Sequence, residues 1–297
     1  MFPTLFEVAG IRVGTHDAFT ALALAIGLGL YYRELRRRRI LDGTIVWISL
    51  AVVTGGAIGA RLIMAWDHLD YYAAVIGTMP ITWVIEHSGK SIIGGIAGGY
   101  LAGVLAKRAF GYTRSTGDCY ALAIAVATAV GRVGCLLSEL PLGTPTDLPW
   151  GVRVPAEAAA AFPNCLGCAG PMHPSQVYEI LFNVIAAVAI VRWGRRVPAR
   201  GDLLKLYLLS AVVFRFLVEF VRVNPTGPLG LTSPQLVLVP LGALLVVHFV
   251  RQARRGAWSV PPAPPALGAF PAASAELAAV PAVVFAPVSL RVREVQP

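Results

Sequence analysis

Charge is what this sequence has least of. Only 14% of its 297 residues are Asp, Glu, Lys or Arg, against about 25% in ordinary soluble domains. With 56% hydrophobic residues and a mean hydropathy of +0.68, a water-soluble enzyme and a disordered chain are both disfavoured. Cysteine is scarce, four in all, too few for a disulfide-built secreted module. No His/Cys/Asp/Glu group has metal-ligand spacing, so no metal and no cofactor are expected. Lysine and arginine exceed the acidic residues by 25 to 16. They stand in short clusters between apolar runs and not in one patch, which argues for a membrane and against a nucleic-acid partner. Nor does positive charge precede the first apolar run, so that run reads as a retained span and not a cleaved signal peptide.

What is present is a set of long apolar blocks. A helix crosses the hydrocarbon in about 20 mostly apolar residues. Seven stretches qualify, near 17–32, 44–66, 91–106, 117–140, 175–191, 203–221 and 234–250. Arginine and lysine collect after the first, third, fifth and seventh: Arg33 and Arg36 to Arg39, then Lys107, Arg108 and Arg114, then Arg192 to Lys205, then Arg251, Arg254 and Arg255. The alternate connections hold almost none, Lys90 in one and Arg153 in another. Cytoplasmic loops gather such charges. The reading is an all-α polytopic membrane protein with about seven transmembrane helices, the amino terminus outside and the carboxyl terminus cytoplasmic.

Between the spans, 67–90 reads as an outer interfacial loop with Trp and Tyr, and 140–174 as a longer Pro- and Gly-rich outer loop. Residues 1–255 form the transmembrane domain, and the Pro/Ala-rich 256–297 a disordered cytoplasmic tail. Cys119 and Cys135 read as small buried hydrophobes. Cys165 and Cys168, in the outer loop, read as a local disulfide, since a zinc site would need two further ligands. Gly55, Gly56 and Gly59, and Gly94 through Gly103, read first as close helix-packing faces. A ligand role for the backbone at Gly94 and Gly95 is the other reading.

Ionisable residues inside a membrane are functional candidates by default. Arg215, Glu219 and Arg222 recur at i, i+4 and i+7, which predicts one helix face. Two arginines with one carboxylate leave a net positive site for an anionic group such as a lipid phosphate. Arg132 lies between Gly131 and Gly134 with room for a bulky partner. Arg61 resembles it and reads as the structural partner of a carboxylate. Glu139 stands at the outer end of the fourth span. His173, Ser175, Gln176, Tyr178 and Glu179 open the fifth, with Pro174 fitted to a first helical turn.

Four of these segments, in this order, carry a resemblance: Gly131-Arg-Val-Gly134, Gly143-Thr-Pro-Thr-Asp-Leu-Pro-Trp-Gly151, His173-Pro-Ser-Gln-Val-Tyr-Glu179 and Arg215-Phe-Leu-Val-Glu219-Phe-Val-Arg222. Together with Gly94-Gly95 and Gln235, they resemble the prolipoprotein diacylglyceryl transferase family over about residues 10–255. The resemblance implies a multi-pass enzyme of the bacterial inner membrane that uses phosphatidylglycerol. It implies transfer of the diacylglyceryl group to the thiol of a prolipoprotein lipobox cysteine, with glycerol phosphate released. By position Arg132 and Arg215 match the family's essential arginines, Glu219 and Arg222 its sixth-span acidic and second basic residues, and Gly143 its loop glycine. Ser175, Gln176, Tyr178, Glu179, Gly94 and Gly95 join Arg222 and Gly143 as substrate-binding candidates.

The sequence also departs from the family pattern. Ile93 replaces the His before the Gly-Gly, and Cys135 the Asn after Gly-Arg-x-Gly. Leu140 takes the Glu position beside Glu139, and Thr15-His16-Asp17-Ala18 fills the region of the first-span Tyr. His173, Glu139 or Glu219 is then left as the base, with His87 a further candidate. A non-catalytic lipid-binding or assembly protein of the same fold is the alternative.

Overall fold

The computed structural model describes residues 4–8, 11–67, 69–75, 78, 91–138, 143–153, 170–197, 201–224, 226–227 and 229–257. Each of the seven apolar stretches is a helix. They are α1 Thr15–Arg37, α2 Gly43–Asp67, α4 Ile92–Ala109, α5 Gly117–Ser138, α6 Ser175–Trp193, α7 Asp202–Val218 and α8 Ser233–Arg254, with a short α3 Leu69–Val75 after α2. Within them Gly43–Leu62, Gly117–Ser138, Ser175–Trp193 and Ser233–Arg254 are long and apolar enough to cross a membrane by length and composition. The chain is a mostly helical, multi-pass membrane protein. Its burial is inverted relative to a soluble fold: Ile185 and Leu244 are 67% and 69% exposed, while Glu219 and Gln235 are each 1% exposed. Lipid solvates the former, and the latter must find partners inside the protein.

α1 and α4 run beyond the apolar stretches read from sequence. The end of α1 is carried by local pairing, as Glu34 bonds Arg37 and Arg38 one turn on. Two features were not foreseen. An antiparallel hairpin of β1 Thr4–Val8 and β2 Ile11–Gly14 precedes α1, and β3 Val152–Arg153 pairs with β4 Pro171–Met172 in the loop before α6.

Two helix pairs form the frame, α2 against α4 and α1 against α5. The first is a glycine seam. A Cβ on Gly59 would meet the Gly94 carbonyl and lie 2.9 Å from Gly98 Cα, and one on Gly98 would meet the Gly55 carbonyl. Only glycine lets the two backbones lie this close. α5 is the central helix, touching α1, α6 and α7. Its buried face is Ala121, Ala123, Ala125 and Ala129 with Cys119, small side chains that admit three neighbours. At its first turn Asp118 accepts from the backbone of Gly201 and Leu203, satisfying orphan donors at the start of α7. α6 and α7 also touch each other beside α5, with Phe182 stacked on Phe214 at 4.3 Å between ring centroids.

Candidate active site

Five charged groups from three helices meet. Arg132 comes from the last turns of α5, Glu179 from the first turns of α6, and Arg215 from the end of α7; Glu219 and Arg222 follow α7. Arg132 pairs with Glu179 and Arg215 with Glu219. Arg222 joins the two pairs, its Nη1 3.4 Å from Glu179 and its Nε 3.9 Å from Glu219. Three guanidinium groups thus face two carboxylates, one positive charge in excess. Both carboxylates are buried, while the arginine side chains keep between 16% and 20% exposure. The anions are enclosed and the cations reach outward. This arrangement presents planar, permanently charged donors to an incoming oxyanion such as a phosphate ester.

Arg222 departs from the expected single helix face. α7 ends at Val218, residues Glu219–Val221 form one 3-10 turn, and Arg222 is extended with φ −103° and ψ 149°. The loop chain competes for the backbone here. Thr144 N–H donates to Val221 at 2.8 Å, and Gly143 bridges to Arg222. Pro225 shortly downstream also cannot continue a helix. The triad still assembles, but the loop fixes its third member.

Gly143 is the joint of that loop. Its N–H donates to His173 O at 2.6 Å, and His173 N–H donates to Thr144 O at 2.9 Å. A Cβ on Gly143 would collide with the Val221 carbonyl, His173 Cβ and His173 O. His173 is therefore seated across one glycine from Arg222. Its Nδ1 lies 3.1 Å from the Tyr178 hydroxyl, which accepts from Trp150 Nε1 at 2.8 Å. Ser175 and Gln176 lie buried in the first turn of α6.

The structure therefore brings Arg132, Glu179, Arg215, Glu219, Arg222, Gly143, His173 and Tyr178 together. Gly94 and Gly95 lie elsewhere, at the start of α4 against α2, where their carbonyls face Gly59 and Gly56. Arg61 donates to Ala57 O on its own helix at 3.3 Å. No carboxylate pairs with it among the described residues. Cys119 is buried as expected, whereas Cys135 is half-buried. Glu139, His87, Cys165, Cys168, most of 67–90 and the tail from 258 on lie outside the described residues.

Sequence reasoning missed Asn224 and Thr232. Asn224 donates to Glu219 Oε1, and Thr232 Oγ1 donates to the same oxygen at 3.0 Å. The signal for Thr232 was there: Thr232-Ser-Pro-Gln235 is a capping box at the start of α8. Gln235 also reaches Phe216 O at 3.2 Å, tying α8 to α7.

Comparison with known proteins gives the family. Residues 3–251 match the family model described as Prolipoprotein diacylglyceryl transferase. The chain belongs to this family. Its relatives include proteins named Phosphatidylglycerol--prolipoprotein diacylglyceryl transferase. The one from Cereibacter sphaeroides is 32% identical over 268 residues, 79% of this chain and 88% of the relative. That from Nitratidesulfovibrio vulgaris is 35% identical, covering 68% and 72%, and that from Synechococcus elongatus 28% identical, covering 84% and 86%. All five charged groups of the cluster lie within the part that the family model matches.

Proposed function

We propose that this chain transfers the diacylglyceryl group of phosphatidylglycerol to the lipobox cysteine of a prolipoprotein. The single observation that carries the reading is the buried Arg132–Glu179–Arg222–Glu219–Arg215 chain in a member of this family. In the reaction the thiol loses its proton, and the thiolate attacks the glyceryl carbon bonded to the phosphate oxygen. The carbon–sulfur bond forms as the carbon–oxygen bond breaks, and glycerol phosphate leaves with the electron pair. A free cysteine thiol has a pKa near 8.5, so a base is needed, and the leaving phosphate must be held as its charge grows.

The arginines serve the second need. Arg132, Arg215 and Arg222 hold the phosphate without giving up protons. Glu179 and Glu219 orient them, because each carboxylate is occupied by its guanidinium partners. Glu219 also accepts from Asn224 and Thr232, which suits it to positioning and not to taking a proton. His173 is the base in this reading. It adjoins Arg222 through Gly143, and the Tyr178 hydroxyl sets its ring. Ser175 and Gln176, buried in the first turn of α6, support His173 in this reading.

The membrane setting belongs to the same proposal. In this reading the chain crosses the bacterial inner membrane seven times with this site toward its outer face, the amino terminus outside and 256–297 a cytoplasmic tail. The apolar, exposed outer faces of the helices support a lipid environment, and the arginine clusters support the orientation.

The deciding experiment is transfer of labelled diacylglycerol from phosphatidylglycerol to a lipobox peptide by the purified protein, beside Arg215→Ala. Transfer by the parent and a loss of on the order of 10²–10³-fold in the variant is expected, the scale of removing a preorganised transition-state donor. Lipid binding without transfer would overturn the enzymatic reading.

A further inference from the structure

A cavity of about 430 Å³ lies between α1, α2, α4, α5 and α7, and no member of the arginine–glutamate chain lines it. Its body is apolar, walled by residues such as Leu28, Val52, Ile96, Ile124 and Leu208. One end is different. There the last turns of α4, the loop before α5 and the first turn of α7 contribute Lys107, Ser115 and Lys205. Gly201 joins them with φ +90°, and a Cβ on it would stand 2.8 Å from Ser115 Oγ and 4.0 Å from Lys205 Nζ.

The two ammonium groups are unequally matched. Lys205 lies 3.0 Å from Asp202, a carboxylate that His248 and Gln252 also engage from α8. Lys107 has no carboxylate within ion-pair distance among the described residues, and its Nζ stands 5.6 Å from the centre of the Tyr112 ring. A positive end on an apolar cavity is complementary to an amphiphile with an anionic head. The way in is lateral. Leu24 and Leu28 of α1, Val53 of α2 and Tyr100 of α4 line the cavity and are half exposed, so it opens between these helices. A protein helix is an unsuitable occupant: at 10–12 Å across, roughly one turn of it would fill this volume.

We infer that the cavity binds an anionic phospholipid from the leaflet on the lysine side, one acyl chain along the apolar wall and the phosphate at Lys107, Lys205 and Ser115. This is a second lipid site, separate from the one proposed for transfer.

The probe is phosphatidylglycerol bearing a photoreactive acyl chain, added to the whole protein in nanodiscs, with labelled residues mapped by peptide mass spectrometry. Labelling of 96–104 and 120–127 is expected in the parent and in Arg215→Ala alike. It should fall about tenfold or more in Lys107→Ala/Lys205→Ala and return in Lys107→Arg/Lys205→Arg. Ile124→Trp fills the cavity while sparing both lysines, and it gives the same fall if the alanine pair does not fold. Equal labelling by phosphatidylcholine with the same chain overturns the inference, as does labelling that survives Ile124→Trp or vanishes in Arg215→Ala. Transfer measured on the same preparations tests the enzymatic reading separately, since its failure leaves the labelling pattern unaltered.

Discussion

Glu219 shows how a buried carboxylate holds the groups around it in place. Arg215, Asn224 and Thr232 bond it, Arg222 approaches it, and it is almost wholly buried. A buried charge with fewer partners would be costly; here the partners also fix where two guanidinium groups point. Gly143 works at the same scale by having no side chain. Three chain segments meet at its backbone, carrying Thr144, His173 and Val221. Alanine there must displace a carbonyl and a neighbouring Cβ, both parts of the backbone frame, so Gly143→Ala is expected to cost about 1–3 kcal/mol of stability. Because His173 and Arg222 would separate, transfer should fall further than the lost stability explains. Thermal unfolding beside kcat and KM checks this: a variant with lowered Tm and unchanged kcat would show that the joint serves the fold alone.

At the scale of elements, helices and their charges were readable because both follow from local composition. Apolar length marks the helices, and i, i+4 spacing brings Arg215 to Glu219 in any helix. Partners from other elements were not readable. That Arg132 meets Glu179, and Arg222 both carboxylates, depends on how α5, α6 and α7 pack. The early end of α7 was hidden too, since a loop some 80 residues earlier in sequence supplies the competing hydrogen bond. Composition did suggest close packing at the glycine runs, and the α2–α4 seam is that contact. Gly59→Leu is expected to force the two backbones apart, to cost more than the usual overpacking penalty of about 1–3 kcal/mol and to lower Tm accordingly. Gly29→Ala is the control: a Cβ there meets nothing within 4 Å, and removing a helical glycine should hold or raise Tm. Equal effects at the two positions would count against the seam.

For the whole molecule, the bundle has two chemically different ends. One gathers the arginine–glutamate chain and the 143–153 loop. The other gathers Arg36, Arg37, Arg38, Lys107, Arg108, Lys205, Arg251 and Arg254 at the ends of α1, α4 and α8 and the start of α7. In the proposed seven-span arrangement the alternate connections are nearly free of Lys and Arg, and the proposed transfer site and the proposed lipid cavity face opposite leaflets. With the four native cysteines replaced, single cysteines at Arg36, Arg114 and Arg255, all exposed, are expected to react with an impermeant maleimide only in inverted vesicles. Single cysteines at Asp147 and Trp150 should react only in intact spheroplasts. A mixed pattern among the first three would remove one span from the count.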